Sequence, residues 1–248
     1  NALRIRVIRP NVKEDLDNAF SEFEKPPYKI AAFFHEVVMM NYGALVMAPD
    51  FLGYAYKLCK AHDVPTVADE IQSCLWYPES FLFKRYGLFP SIVIVGKGFS
   101  GGEFAASRVL TTEEYDLLPQ FGALVTNGQE ELASLSYLIT SEWVKENTSA
   151  VCEIGQYYEK NINDLVKRFP SLLTGASGIG HLMGLRFRDI ETGKRFAEAM
   201  VERGFDISVQ SYKAVCPPVA LTKLPLIVDE PVVDYLIKNI HDVLSNID

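Results

Sequence analysis

Apolar residues gather in five short runs over the first 110 positions, and the stretches between them change period. Leu3–Val7 alternates apolar residues with arginine, as a half-buried strand does. Ile30–Phe34 (IAAFF), Val64–Ala68 (VPTVA) and Ser91–Val95 (SIVIV) are nearly continuous apolar runs, the pattern of strands covered on both faces. Phe104–Leu110 reads as a further strand. Between the second and third runs, Ala48–Ala61 places Phe51, Tyr54, Ala55 and Leu58 at helical spacing, and Pro49-Asp50 marks its start. Beyond these runs the helical period dominates. Glu130–Glu146 predicts a long helix, 147–149 a break, and the next stretch a second helix ending near Arg168.

After Pro170 the texture shifts again. A glycine-rich segment (GASGIG, 175–180) predicts a loop leading into a strand at His181–Phe187. A helix near Gly193–Arg203, a short strand at Asp206–Val209 and a turn at Pro217-Pro218 follow. The last helix, about Pro231–Ile247, carries Val233, Leu236, Ile237, Ile240, Val243 and Leu244 on one face, with proline in its first turn. Strand-helix alternation with apolar strands predicts an α/β domain with a mostly parallel sheet over 1–148, followed by a smaller α+β domain over 149–248.

Composition narrows the function. Of 248 residues 48% are apolar and 23% charged, within the range of globular proteins, and the net charge is −8. With no basic run, the chain lacks the clustered Lys and Arg that nucleic acid or an anionic membrane surface requires. The most apolar stretch, Ile30–Met47, is interrupted by His35, Glu36, Asn41 and Gly43, so no membrane span is predicted. Cys59, Cys74, Cys152 and Cys216 form no paired motif, which suits a reducing, cytoplasmic setting. The four histidines show no metal-ligand spacing. The chain opens at Asn1 without an initiator methionine, and its first run already reads as a strand, so the sequence is expected to begin inside a fold.

Three features could carry chemistry. In ADEIQ (68–72) an apolar run ends in Asp69, either a capping carboxylate or one held to pair with a cation. In IVGKG (94–98) Lys97 follows an apolar strand between two glycines. It is either a turn lysine facing solvent or an amine placed to attack a carbonyl and form a Schiff base. Thr126-Asn127-Gly128 precedes the long helix, as a plain cap or as a phosphate site. Residues 96–101 (GKGFSG) match a dinucleotide fingerprint, but that reading requires a helix after Gly101, and 102–110 reads as a strand.

Together these features resemble the class III aminotransferases, pyridoxal-phosphate enzymes of fold type I. Ile30–Val38 (IAAFFHEVV) is similar to the family's AAVIVEPV, Val67–Gln72 to its DEVQ, and Tyr86–Val93 to its YGVxPDIV, leading to the family lysine at Lys97, 28 residues beyond Asp69. Thr126–Ala133 resembles TFGGNPLA, Ser177–Phe187 (SGIGHLMGLRF) resembles RGLGLMIGIEL, and Pro217-Pro218-Val219 resembles the late PPL. The resemblance implies that Lys97 binds pyridoxal 5'-phosphate covalently and shuttles a proton, that Asp69 pairs with the pyridine nitrogen, and that Gln72 hydrogen-bonds the ring hydroxyl. It implies that Thr126 reaches the phosphate of a partner's cofactor in a homodimer and that Glu36 lies on the substrate side.

The sequence also departs from the family. Ala214 stands where relatives often carry an arginine that grips a substrate carboxylate, with Lys213 beside it, so the donor is expected not to be a simple α-amino acid held in that way. Residues 73–79 replace TGFGRTG, and Gln129-Glu130-Glu131 replaces Gly-Asn-Pro. The family's N-terminal half, with its phosphate loop and ring-stacking aromatic, has no counterpart here, so the chain is expected to match only the later part of such an enzyme. An aminomutase, racemase or decarboxylase on the same scaffold, or a non-catalytic relative, are the alternatives.

Overall fold

The computed structural model describes residues 4–76, 80–105, 107–122, 130–210 and 216–247. The elements run α1 (Lys13–Phe23), β1 (Phe33–His35), β2 (Val38–Met39), β3 (Leu45–Val46), α2 (Pro49–Ala61), β4 (Thr66–Asp69), α3 (Leu82–Arg85), β5 (Ile92–Gly96), β6 (Ser107–Thr111), α4 (Glu131–Glu146), α5 (Thr148–Arg168), β7 (Leu173–Ile179), β8 (Leu182–Phe187), α6 (Ile190–Glu202), β9 (Val209–Gln210), β10 (Val219–Lys223) and α7 (Glu230–Leu244). They divide into two compact units. One comprises Asn1–Val37, Met47–Cys74 and Phe81–Ser141, the other Val38–Val46, Leu75–Ser80 and Glu142–Asp248.

The first unit is built on a four-stranded sheet in the order β1-β4-β5-β6. β1, β4 and β5 run parallel and β6 closes the edge antiparallel, so the apolar runs form the mostly parallel α/β sheet that their composition predicts. A parallel pair needs a crossover, and α2 lies in the one between β1 and β4. Pro49 sits in its first turn, where a missing N–H costs nothing. Its buried Ala55 and Cys59 pack with Val64 and with Leu16 and Phe20 of α1. The strand predicted at Leu3–Val7 does not form among the described residues. Arg4–Ile8 has no regular structure, and Ile5 and Val7 are 89% and 83% exposed. Alternation alone stabilises nothing where no neighbouring strand completes the ladder.

The second unit is an antiparallel sheet, β7-β8-β10-β9, with α5, α6 and α7 packed on one face. Tyr158, Ile162 and Leu165 of α5, Phe196 and Met200 of α6, and Val233, Leu236 and Ile240 of α7 recur at helical spacing and meet Met183, Leu185 and Phe187 of β8. The buried Tyr158 hydroxyl donates to Thr222 Oγ1 at 2.6 Å, so its polar atom is satisfied. Asp189 and Asp229 cap α6 and α7, each accepting from a backbone N–H three residues on. On the opposite face lies the β2-β3 hairpin, where Ser177 Oγ donates to the Gly43 carbonyl.

The glycine-rich segment 175–180, predicted as a loop, falls mostly in strand β7. The glycines are there for close approach. At Gly178, with φ +108°, a Cβ would stand 2.0 Å from the Leu182 carbonyl oxygen, so only glycine allows β7 and β8 to pair at that point. The strand β10 follows the predicted Pro217-Pro218 turn and has no counterpart in the sequence reading.

Candidate functional site

Because β1, β4 and β5 run parallel and adjacent, their carboxyl ends share one edge of the first unit's sheet. His35 pairs with Ala68 and Asp69 with Ile94, so the residues that leave these strands are neighbours. Glu36 immediately follows β1, Asp69 ends β4, and Lys97 immediately follows β5. In open α/β sheets this edge is where ligands bind, outside the strand ends.

Each of these positions is held locally. Asp69 is half-buried, and its Oδ1 accepts from the Ile71 N–H at 3.0 Å, which aims the carboxylate along the turn after β4. Gln72, 4% exposed, lies in that turn. Lys97 is exposed and begins a single 3₁₀ turn, Lys97–Ser100, with φ +49°. A left-handed lysine is strained by about 1–2 kcal/mol relative to the right-handed form, and such strain concentrates at functional sites. The turn is fixed from behind: Ser100 Oγ donates to the Phe104 carbonyl at 2.6 Å, and Ser136 Oγ of α4 donates to the Ser100 carbonyl. A strand, β6, follows this turn in place of the helix that a dinucleotide fingerprint requires.

The residue that organises the turn after β4 is Glu70, which the sequence reading passed over. It is wholly buried. Its N–H donates to the Ile94 carbonyl at 2.9 Å and ties the end of β4 to β5. Its carboxylate accepts from the Phe83 N–H at 2.8 Å and from Ser73 Oγ, and its carbonyl accepts from the Ser73 and Cys74 N–H groups. Burial pushes its pKa above the usual carboxylate range, against the pull of these donors, so it is a weaker acid than a free carboxyl. The signal was present in the Asp69-Glu70 pair: successive strand residues point to opposite faces, so two adjacent acids take opposite roles.

His35, one residue before Glu36, is also buried. Its Nε2 meets the Tyr56 hydroxyl at 2.9 Å, and burial lowers it to about 4, so the ring is neutral at pH 7. The buried thiols of Cys59 and Cys74 are pushed up to about 12 and about 11 and stay protonated. Thr126, Lys213 and Ala214 lie outside the described residues, as do residues 77–79. No helix among the described residues is long and apolar enough to cross a membrane, and no group of three or more His, Cys, Asp or Glu among them is arranged to hold a metal ion.

The sequence pattern of the family described as aminotransferase class-III matches residues 8–244. Ornithine aminotransferase car2 of Schizosaccharomyces pombe is 36% identical over 143 residues, which are 57% of this chain and 32% of that protein. Acetylornithine aminotransferase of Methanocaldococcus jannaschii is 27% identical over 222 residues, 88% of this chain and 54% of that protein. The fold matches that of the ornithine aminotransferase of Toxoplasma gondii, which has partial occupancy of PLP at its active site. The TM-score is 0.82 at 20% identity, covering 98% of this chain and 56% of that one. The chain thus spans from about a third to just over half the length of these relatives.

Proposed function

The chain belongs to the class III aminotransferase family, and on that premise we propose that it forms the lysine-bearing part of a pyridoxal-phosphate-dependent aminotransferase, moving an amino group from an amine or amino-acid donor to a keto or aldehyde acceptor. The observation that carries this reading is the convergence of Glu36, Asp69 and Lys97 on adjacent parallel strand ends. The donor set fits the cofactor: an exposed primary amine suits its aldehyde, and a half-buried carboxylate on the neighbouring strand suits a protonated pyridine. When bound, pyridoxal phosphate supplies an electron sink that weakens bonds at the carbon carrying the amino group.

Lys97 Nζ would hold the cofactor covalently, and its amine, when free, would serve as the group that carries the proton. Asp69 keeps the ring nitrogen protonated by placing a negative charge beside it. Gln72 donates to the ring hydroxyl oxygen, and Glu36 faces the substrate. Thr126 of one protomer reaches the phosphate held by its partner in a homodimer. Residues 1–148 then belong to the cofactor-binding domain and 149–248 to the C-terminal one. The buried, protonated Cys59 and Cys74 suit a reducing cytoplasm.

The test uses the native polypeptide that carries these residues. It is mixed with pyridoxal phosphate, its near-visible absorbance is recorded, and the adduct is reduced with borohydride and mapped. The expected label is on Lys97, with both band and label lost in Lys97→Ala. A label on another lysine, unchanged in that variant, would overturn the assignment.

A further inference from the structure

The ladder between β4 and β5 stops at Asp69, which pairs with Ile94, yet β5 runs on to Gly96. The last two residues of β5 are held by β6 on one side and have no β4 partner on the other. Asp69 and Lys97, assigned to the nitrogen and the aldehyde carbon at opposite ends of one ring, therefore leave the sheet at different depths. The ring is rigid, so the spacing of these two groups has to be set by the protein before the cofactor arrives.

The turn 70–74 fills the missing place beside β5. Its Glu70 N–H donates to the Ile94 carbonyl at 2.9 Å, and Cys74 Sγ donates to the carbonyl of Gly96, the residue before Lys97, at 3.6 Å. The turn keeps its shape through Glu70. The Glu70 carbonyl accepts from the Ser73 and Cys74 N–H groups at 3.1 and 2.8 Å. Its carboxylate accepts from Ser73 Oγ and, at 2.8 Å, from the Phe83 N–H of α3, a helix whose capping residue, Phe81, contributes no side-chain bond. Glu70, Gln72, Ser73 and Cys74 are none of them more than 4% exposed, so water does not readily replace a bond lost here. Asp69 points to the other face, with its Oδ1 held by the Ile71 N–H of the same turn.

Resting on the aminotransferase reading above, we infer that Glu70 is a positioning residue, whose carboxylate holds the 70–74 turn so that Asp69 and Lys97 stand at the spacing the cofactor ring requires. It acts through Asp69 and the end of β5 and touches neither ring nor substrate. The role calls for a hydrogen-bonding group of this shape, not for a charge. In Glu70→Gln the amide oxygen accepts from the Phe83 N–H and the NH2 donates to Ser73 Oγ, so both bonds persist. In Glu70→Ala both are lost.

Pyridoxal phosphate is titrated into the native polypeptide and its variants, with near-visible absorbance as the readout. Binding in Glu70→Ala is expected to be roughly ten- to hundredfold weaker, as for two lost buried hydrogen bonds, and in Glu70→Gln within about threefold of the unmutated protein. Val64→Ala, in the α1–α2 cluster before β4, should lower the thermal midpoint and leave the affinity unchanged. Should Glu70→Ala fail to fold, Ser73→Ala removes one of the two donors and is expected to bind about three- to tenfold more weakly. Unchanged affinity in whichever of these two folds, equal losses in Glu70→Gln and Glu70→Ala, or the same loss in Val64→Ala would overturn the inference. A second readout needs no cofactor: exchange of the Ile71 amide hydrogen, which reports whether Asp69 is still held. It should quicken about tenfold or more in Glu70→Ala while the amides of α2 are unaffected. If the unmutated protein gives no near-visible band, the aminotransferase reading fails and exchange alone decides. Faster exchange confined to the turn keeps Glu70 as the residue that positions Asp69, and unchanged exchange removes it.

Discussion

The two units leave different amounts of apolar surface exposed. In the second, three helices close over one sheet face, and a continuous core runs from Tyr158 to Leu244. In the first, Leu16, Phe20, Phe51, Leu52, Val67 and Val95 are buried, while Phe34, Val109 and Leu110 of the sheet and Leu132, Leu135, Leu138 and Ile139 of α4 are exposed. The candidate catalytic residues lie in the less completely covered unit, at strand ends and in a turn whose first residue has φ +49°. Backbone freedom is spent on close packing in one unit and on presenting an amine in the other. Gly178 allows two strands to touch, whereas Lys97 accepts strain that a glycine would not feel.

Substitution at each place sharpens that contrast. The largest effect is expected for Lys97→Gly: transamination by the holoenzyme falls by about 10³–10⁴-fold or more, while the cofactor-free protein gains about 0.5–1 kcal/mol as the left-handed strain is relieved. Steady-state rates and urea unfolding would report the two halves, and a loss of stability would show that the turn is not strained. Gly178→Ala should do the reverse. It costs about 3 kcal/mol or more through collision with the Leu182 carbonyl and its positive φ. Denaturant titration checks this, and a cost under about 1 kcal/mol would mean that β7 shifts easily.

The smallest effect concerns acid. His35 in the first unit and His181 in the second are both buried, with burial lowering each to about 4. Each binds its proton more readily when unfolded, near pH 6.5. The stability of the neutral ring is therefore complete above that pH and is lost as pH falls from about 6.5 to 4. Among the described residues neither ring nitrogen of His181 has a partner, whereas His35 has Tyr56. Replacing His181 with Leu should flatten the fall by about 1 kcal/mol at pH 5.5 and cost little at pH 7. Thermal melts of both proteins at the two pH values would show it, and parallel melting curves would place the acid sensitivity elsewhere.

Much of this was legible in the sequence, for definable reasons. Apolar runs at 64–68 and 91–95 became β4 and β5, and helices announced by Pro49 and Pro231 begin there, because burial on both faces and N-terminal proline are strong local signals. The strand ends could be located for the same reason, and with them Asp69 and Lys97. Strands that are very short, or whose existence depends on a partner strand, were not legible. Val38–Met39, Leu45–Val46 and Val219–Lys223 carry no pattern of their own, and the alternating start of the chain carries a pattern with nothing to pair against. Glu70 was hidden by its neighbour, since sequence alone does not say which of two adjacent acids turns inward.

The short segments Val38–Val46 and Leu75–Ser80 have a further consequence, for biosynthesis. The chain passes between its two units at 37/38, 46/47, 74/75, 80/81 and 141/142, so no single cleavage can release either unit intact. As the chain leaves the ribosome, Val38, Met40 and Ala44 emerge well before the sheet that buries them, whose first strand begins at Leu173. Trp76 waits still longer for the Leu224 carbonyl, to which its Nε1 donates at 2.9 Å. The second unit is therefore completed only after α7 has emerged, and until then its earliest pieces remain as uncovered apolar surface, where a chaperone would find them.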